Sequence, residues 1–399
     1  MRKILVRGRL SGSRILALLF CIFVLTPRGA AQLSERSQAS VLTISPGDPV
    51  YTTFGHSAIR VSDPALGLDR CYNYGTFDFE QPGFLLKFCR GKLNYFLDTE
   101  PFRYTERGAL FERRVIDEQV LNFTLEERQR LYELLETNAL EANRYYLYDF
   151  FYDNCATRIR DIIKKSLGYH IVFDSTHIPY GFTMRQLLHT YLTEKPWTRF
   201  GIDLVLGIPA DRRARAEEFM FLPDYMRDMF AHTRMYDGRP LVSETRRIPD
   251  GPANLPIYRP GFYGRPMWVM LSVALVGLLS LAHPRASRIF DGVFWFVLGL
   301  AGLLMFSLWF FTDHQPTRLN LNLLWALPTH LFMFWRKPQV VWVENYYVAC
   351  AVLSGIFLLL WPLWPQQLPP EAIPLAGLVV IKSFWRIYKR TRFRNVTPA

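Results

Sequence analysis

Apolar and polar positions follow one rhythm before residue 250 and another after residue 266. In the first part they alternate over short stretches. Residues 40–44, the second half of 51–61, 72–79, 91–97 and 113–122 read as β-strands, with turn chemistry such as Ser45-Pro46-Gly47-Asp48-Pro49 between them. Residues 84–88 read as a short helix or a buried strand. Thr124 and Glu127 carry the signature of a capping box, and Leu131, Leu134, Leu135 and Leu140 follow on one helical face. Helices are also expected over 184–192 and 210–229, the second solvated because Arg212, Arg213, Arg215, Glu217 and Glu218 crowd it. In the second part the apolar residues come in five blocks, 267–282, 289–311, 319–335, 340–363 and 373–385. Several are at or below the ~20 residues that a membrane-crossing helix needs. Residues 251–266, rich in proline and glycine, read as a linker. The predicted class is therefore an α+β domain over 35–250 followed by an all-α membrane domain of about five helices over 267–388.

Charge supports this division. Arg2, Lys3, Arg7, Arg9 and Arg14 precede the apolar run 15–25, and the small residues Gly29, Ala30 and Ala31 follow, so residues 1–31 read as a secretory signal. The formal net charge of +12 invites a nucleic-acid reading, but the basic residues gather at the N-terminus, beside apolar blocks and at the C-terminus. That distribution is one of membrane topology. Arg285 and Arg288 follow the first block, Arg336 and Lys337 the third, and Lys389, Arg390, Arg392 and Arg394 the fifth, whereas 312–318 and 365–372 carry little positive charge. Five spans are expected, with the N-terminal domain outside and a basic tail, 389–399, in the cytoplasm.

The chemistry concentrates around one cysteine. In Tyr152-Asp153-Asn154-Cys155-Ala156-Thr157-Arg158-Ile159, the thiol stands where a polar turn becomes an amphipathic helix capped by Asp153 or Asn154, with Ile159, Ile162 and Ile163 on its apolar face. Unpaired N–H groups and the helix dipole there favour a thiolate nucleophile, while the plain alternative is a small buried residue. His56 falls at a strand entrance beside Gly55, and Asn73 or Asp78 can orient its imidazole or bond to a turn instead. The aromatic run 145–152 reads as core or as the wall of an acyl or peptide groove. Cys71 and Cys89 can form a bridge that leaves Cys155 free. His170, His177, His189 and His232 have no metal-ligand spacing, and the chain holds no phosphate loop, dinucleotide fingerprint or serine elbow, so neither metal nor cofactor is expected. Asn320 and Asn322 enter the third apolar block behind the outer turn with Asp313, His314 and Gln315; they read as helix glue or as lipid-headgroup ligands.

Phe54-Gly55-His56-Ser57, Asn73-Tyr74-Gly75-Thr76-Phe77-Asp78 and Asp153-Asn154-Cys155 resemble the Lnb family, bacterial lipoprotein N-acyltransferases of Bacteroidota-type envelopes. The likeness covers nearly the whole chain, including the turn with His314 and the asparagines after it. The exported domain is also similar to circularly permuted papain-like folds such as lecithin retinol acyltransferase, in which histidine precedes cysteine. The resemblance implies an enzyme of the inner membrane with a periplasmic catalytic domain. Its catalytic residues would be Cys155, His56 and Asn73, and Tyr74, Asp78, Asn154, His314, Asn320 and Asn322 would bind substrate. It further implies a phospholipid acyl donor, a diacylated lipoprotein acceptor, and a thiolate stabilised by imidazolium. A thiol peptidase or amidase acting on cell-wall peptides, as in NlpC-type enzymes, and a non-catalytic envelope receptor or assembly protein remain open on the residues alone.

Overall fold

The computed structural model describes residues 30–78, 80–168, 171–248, 264–333 and 341–396. The expected signal segment and linker lie, but for their last few residues, outside these. The first part is built on seven antiparallel strands: β1 Gln38–Ile44, β2 His56–Asp63, β3 Leu68–Thr76, β4 Asn94–Pro101, β5 Ile116–Leu121, β6 Tyr145–Leu147 and β7 Val242–Ile248. Their spatial order is β6-β4-β3-β2-β1-β5-β7. β1 is buried over all but its first residue, because helices cover both faces of the sheet. Val41, Ile59, Val61, Tyr72, Tyr74 and Leu97 point into the larger core. Leu42, Ile44, Ala58, Cys71 and Ile116 point the other way.

The helices of this part are α1 Phe84–Cys89, α2 Phe102–Phe111, α3 Leu125–Ala139, α4 Cys155–Ser166, α5 Met184–His189, α6 Pro196–Val205 and α7 Pro223–His232. α3 begins with the expected capping box: Thr124 Oγ1 accepts from the Glu127 N–H at 3.2 Å and Glu127 Oε2 from the Thr124 N–H at 2.7 Å. Leu131 and Leu135 of α3 join Ile159, Ile162 and Ile163 of α4 in the larger core, while Phe102 and Ala109 of α2 close the smaller one. Two expectations fail here. Residues 210–229 are not one solvated helix but two 3-10 turns, Ile208–Asp211 and Ala216–Phe221, followed by α7. Pro209 and Pro223 cannot supply the N–H bonds of a continuing helix, and Phe219, Met220, Phe221 and Leu222 are buried. Cys71 is a free, buried thiol bonded to Thr105, so no bridge to Cys89 forms.

The second part contains α8 Pro266–Leu279, α9 Pro284–Phe310, the single turn α10 His330–Met333, α11 Val341–Leu359 and α12 Ala372–Val396. Among the described residues, α9 and the stretch Trp342–Leu359 of α11 are long and apolar enough to cross a membrane. The third apolar block is not a continuous helix. A 3-10 turn, Leu321–Leu324, and an irregular stretch precede α10. Pro328 removes a donor there, and α9 approaches so closely that a side chain on Gly302 would stand 2.2 Å from the Ala326 carbonyl oxygen. Such backbone is tolerated at membrane depth only when protein surrounds it, and Trp325, Ala326 and His330 are indeed buried. At the other end, α12 continues through residues 389–394, so this basic segment is helical rather than a separate tail.

The two parts meet in a polar joint. The Gly207 N–H donates to the Pro316 carbonyl at 2.8 Å, and any side chain on Gly207 would collide with the Arg318 carbonyl. Gln366 Nε2 donates to the Leu206 carbonyl at 2.9 Å. Beneath this loop lies Arg185, with no exposed surface, paired with Asp203 at 3.1 Å and Asp211 at 2.9 Å and donating to the carbonyls of Leu206 and Gly207. The turns poor in positive charge are those that meet the sheet domain; Arg285 and Arg288 stand at the opposite end of α9, roughly 40 Å away for a helix of this length. Replacing Arg185 with Met leaves the buried carboxylate of Asp211 without its cation and Asp203 with only the exposed Arg199 at 3.7 Å and His189. The expected cost is about 3–5 kcal/mol, read as a lower unfolding midpoint of the purified chain, and a change below about 1 kcal/mol would contradict this role.

Candidate active site

The site forms where the start of α4 meets the ends of β2 and β3. Asn154 is the N-cap of α4: its Oδ1 accepts from the Thr157 N–H at 3.0 Å, and its Nδ2 donates to the carbonyls of Phe150 and Phe221 at 2.9 and 2.7 Å. Asp153 pairs with Arg158 instead and steadies the preceding turn. Cys155 therefore opens the helix with its side chain buried. The backbone N–H groups of Ser57, Ala156 and Cys155 itself lie where they favour its thiolate form. Ser57 brings the strand end that carries His56 to the thiol.

His56 is held from the next strand. Its Nε2 lies 3.3 Å from Asn73 Oδ1, and Asn73 Nδ2 donates to Glu100 Oε1 at 3.3 Å. Because the amide's donor end is taken by Glu100, its oxygen faces the imidazole. The tautomer with hydrogen on Nε2 is favoured, and Nδ1 remains the basic nitrogen. Between thiol and strand stands Gly75, whose φ of +87° suits glycine alone. A side chain there would start 3.6 Å from Cys155 Cβ and from Tyr148 Cε2, so its absence leaves room beside the thiol.

Electrostatics change the expected chemistry. Burial, and then Arg114, push the His56 imidazole down to about 4, against the pull of Asn73. Burial raises the Cys155 thiol above its usual 9.0; the three N–H groups and Arg114 lower it without cancelling that effect. At neutral pH the resting pair is a thiol and a neutral imidazole, not the thiolate and imidazolium expected from the helix dipole. A neutral thiol beside a neutral imidazole is the arrangement that general-base catalysis requires.

Arg114 escaped the sequence reading. It is 7% exposed; its Nε donates to the Ser45 carbonyl at 2.6 Å and its Nη1 to Glu112 at 2.9 Å, but Nη2 is buried without a hydrogen-bond partner. Ser57 Oγ is likewise buried and unpaired. The available signal was a cation directly before a strand, in Glu112-Arg113-Arg114, which resembles any charged turn.

The remaining expected site residues are placed elsewhere. Tyr74 is buried in the core and its hydroxyl accepts from Asn138 at 2.8 Å. Asp78 closes an exposed turn by accepting from the Glu80 N–H at 2.8 Å. Asn320 donates to the carbonyls of Leu204 and Val205 at 2.8 and 3.1 Å, and Asn322 to that of Leu204 at 3.1 Å, so both bind the end of α6 into the joint. His314 packs on Gly91. The described residues contain no cluster able to hold a metal ion.

Residues 27–190 match the Lnb N-terminal periplasmic domain, and residues 265–393 match the Lnb transmembrane domain. The chain belongs to the Lnb family. No curated protein and no solved structure matches it. As in the Lnb family, then, the sheet domain is periplasmic and the helical part is a membrane domain, and the joint between them lies at the periplasmic end of the helices.

The neutral resting pair predicts slow alkylation of Cys155 by iodoacetamide at pH 7. The rate should rise roughly tenfold per pH unit up to pH 9, as the thiolate fraction grows, and should be slower still in Arg114→Met. A rate already constant below pH 7 would show a preformed thiolate and contradict this assignment.

Proposed function

We propose that the protein is a lipoprotein N-acyltransferase with Cys155 as nucleophile, His56 as general base and acid, and Asn73 as the residue that orients the imidazole. As the Cys155 sulfur attacks the ester carbonyl of a phospholipid, a C–S bond forms and His56 Nδ1 takes the thiol proton. The N–H groups that surround the thiol, with the unpaired Nη2 of Arg114 behind them, suit the negative charge of the tetrahedral intermediate. The C–O bond then breaks and the proton passes to the lysophospholipid alcohol, leaving a thioester. The α-amine of a diacylated lipoprotein's N-terminal cysteine attacks that thioester; the C–N bond forms, the C–S bond breaks, and the amine proton returns through His56 to the thiol.

The observation that carries this reading is the packing of Cys155 against Gly75 of the strand whose Asn73 holds His56, in a periplasmic domain bonded directly to the outer turns of a membrane domain. The chain order His56, Asn73, Cys155 on two strands and a helix start supports the permuted papain-like description. A thiol peptidase would use the same three residues, but a rigid joint to the membrane favours substrates that are themselves anchored in it, since confinement to one surface raises their encounter. The poverty of cations in the outer turns 312–318 and 365–372, against Arg285 and Arg288 at the far end of α9, supports an inner-membrane topology with a cytoplasmic C-terminus.

In cells that rely on the Cys155→Ala variant, the N-termini of lipoproteins should remain diacylated. Mass spectrometry of one abundant lipoprotein decides this, and a normal triacylated product would remove Cys155 from the reaction.

A further inference from the structure

A line of aromatic rings leads from the thiol towards the membrane. Tyr148, which shares the space above Gly75 with Cys155, stacks on Tyr95 with ring centroids 4.2 Å apart. Tyr95 meets Phe77 at 5.1 Å, and Phe77 stacks at 6.0 Å on Phe84, the first residue of α1. α1 exposes 64% of Leu86, and the cations Lys87, Arg90 and Lys92 around it are exposed as well. This segment sits on the periplasmic end of α9. The Asp313 N–H donates to the Arg90 carbonyl at 3.1 Å, and Lys92 and Asp313 pair at 3.8 Å. Phe310 and Phe311, where α9 ends, are 55% and 66% exposed. Apolar side chains ringed by cations at the end of a membrane helix have the composition of a segment lying in the headgroup layer, its apolar side towards the chains and its cations among phosphates.

We propose that α1 rests in the periplasm-facing leaflet and that the path Phe84, Phe77, Tyr95, Tyr148 carries the acyl chain of a membrane glycerophospholipid to Cys155. One occupant has matching chemistry throughout. The row of rings starts beside membrane-level apolar residues, exposed cations stand where a phosphate diester would sit, the rings pack against one another along its length, and it ends at Cys155. A peptide would need a partner for every backbone amide along the way, and the row offers two hydroxyls, of Tyr95 and Tyr148, and no polar side-chain group on Phe77 and Phe84. This inference rests on the reading of Cys155 as the acyl acceptor, and its test separates the two.

The full-length protein is reconstituted in phosphatidylglycerol vesicles containing a phospholipid with a diazirine on its acyl chain, irradiated and digested. Labelled peptides are expected within residues 77–95 and around Tyr148, in the native protein and in Cys155→Ala alike. Leu86→Asp, at an exposed position that the fold does not depend on, should reduce this labelling about tenfold, the effect of losing one buried leucine-sized side chain. Labelling confined to α8, α9 and α11 overturns the path. Labelled residues 77–95 without a thioester on Cys155 would retain the path and dismiss the nucleophile; a thioester without that label would do the reverse.

Discussion

The close approach of the α4 start to the sheet, where a side chain on Gly75 would stand 3.6 Å from Cys155 Cβ and the Ser57 N–H favours the thiolate, joins a helix start to a strand start, and the rest of the site follows from holding those two ends together. Asn154 fixes the first by capping α4 while donating to Phe150 and Phe221, so the cap is tied to two other segments. The register of β1, β2 and β5 fixes the second, with Ile44 opposite both His56 and Ile116. Gly75, paired with neither a side chain nor an ordinary φ, keeps the third strand from filling the gap. An N-cap substitution costs about 1 kcal/mol in an ordinary helix. Here it would also release the Cys155 thiol from its place beside the sheet.

Burial gives that contact its chemical character. Removing water from around the pair disfavours both charged forms, so the thiol and imidazole rest neutral. Arg114 works in two directions: it opposes imidazolium and favours sulfur or oxygen anions. A buried guanidinium with an unpaired nitrogen is costly in a resting protein. Its cost is offset whenever negative charge develops nearby, which makes it better suited to a reaction intermediate than to the ground state.

Much of this was legible in residues that act locally. The alternation of 40–44 and 57–61, the capping pair Thr124 and Glu127, and the switch from polar turn to amphipathic helix at Asn154-Cys155 are each set by neighbours in sequence. What stayed hidden depends on partners far away. β7 is an edge strand whose middle residues are exposed, so Ser243-Glu244-Thr245-Arg246-Arg247 shows no apolar alternation. The third apolar block has the composition of a span, yet α9 packs against its backbone and Asn320 and Asn322 turn to the carbonyls of α6. The choice between glue and headgroup ligand for these asparagines was open in sequence, and the glue joins domain to membrane rather than helix to helix. Arg114 was invisible for the same reason: its neighbours in sequence are charged, and its burial comes from the 45–52 loop.

The central claim is that Cys155 carries the acyl group. Intact-protein mass spectrometry of the full chain incubated with a defined phospholipid, without lipoprotein acceptor, tests it most directly. A mass increase equal to one acyl chain, removed by neutral hydroxylamine and absent from Cys155→Ala, is the predicted result. An unmodified protein that nevertheless releases lysophospholipid, or an adduct that persists in Cys155→Ala, would contradict it.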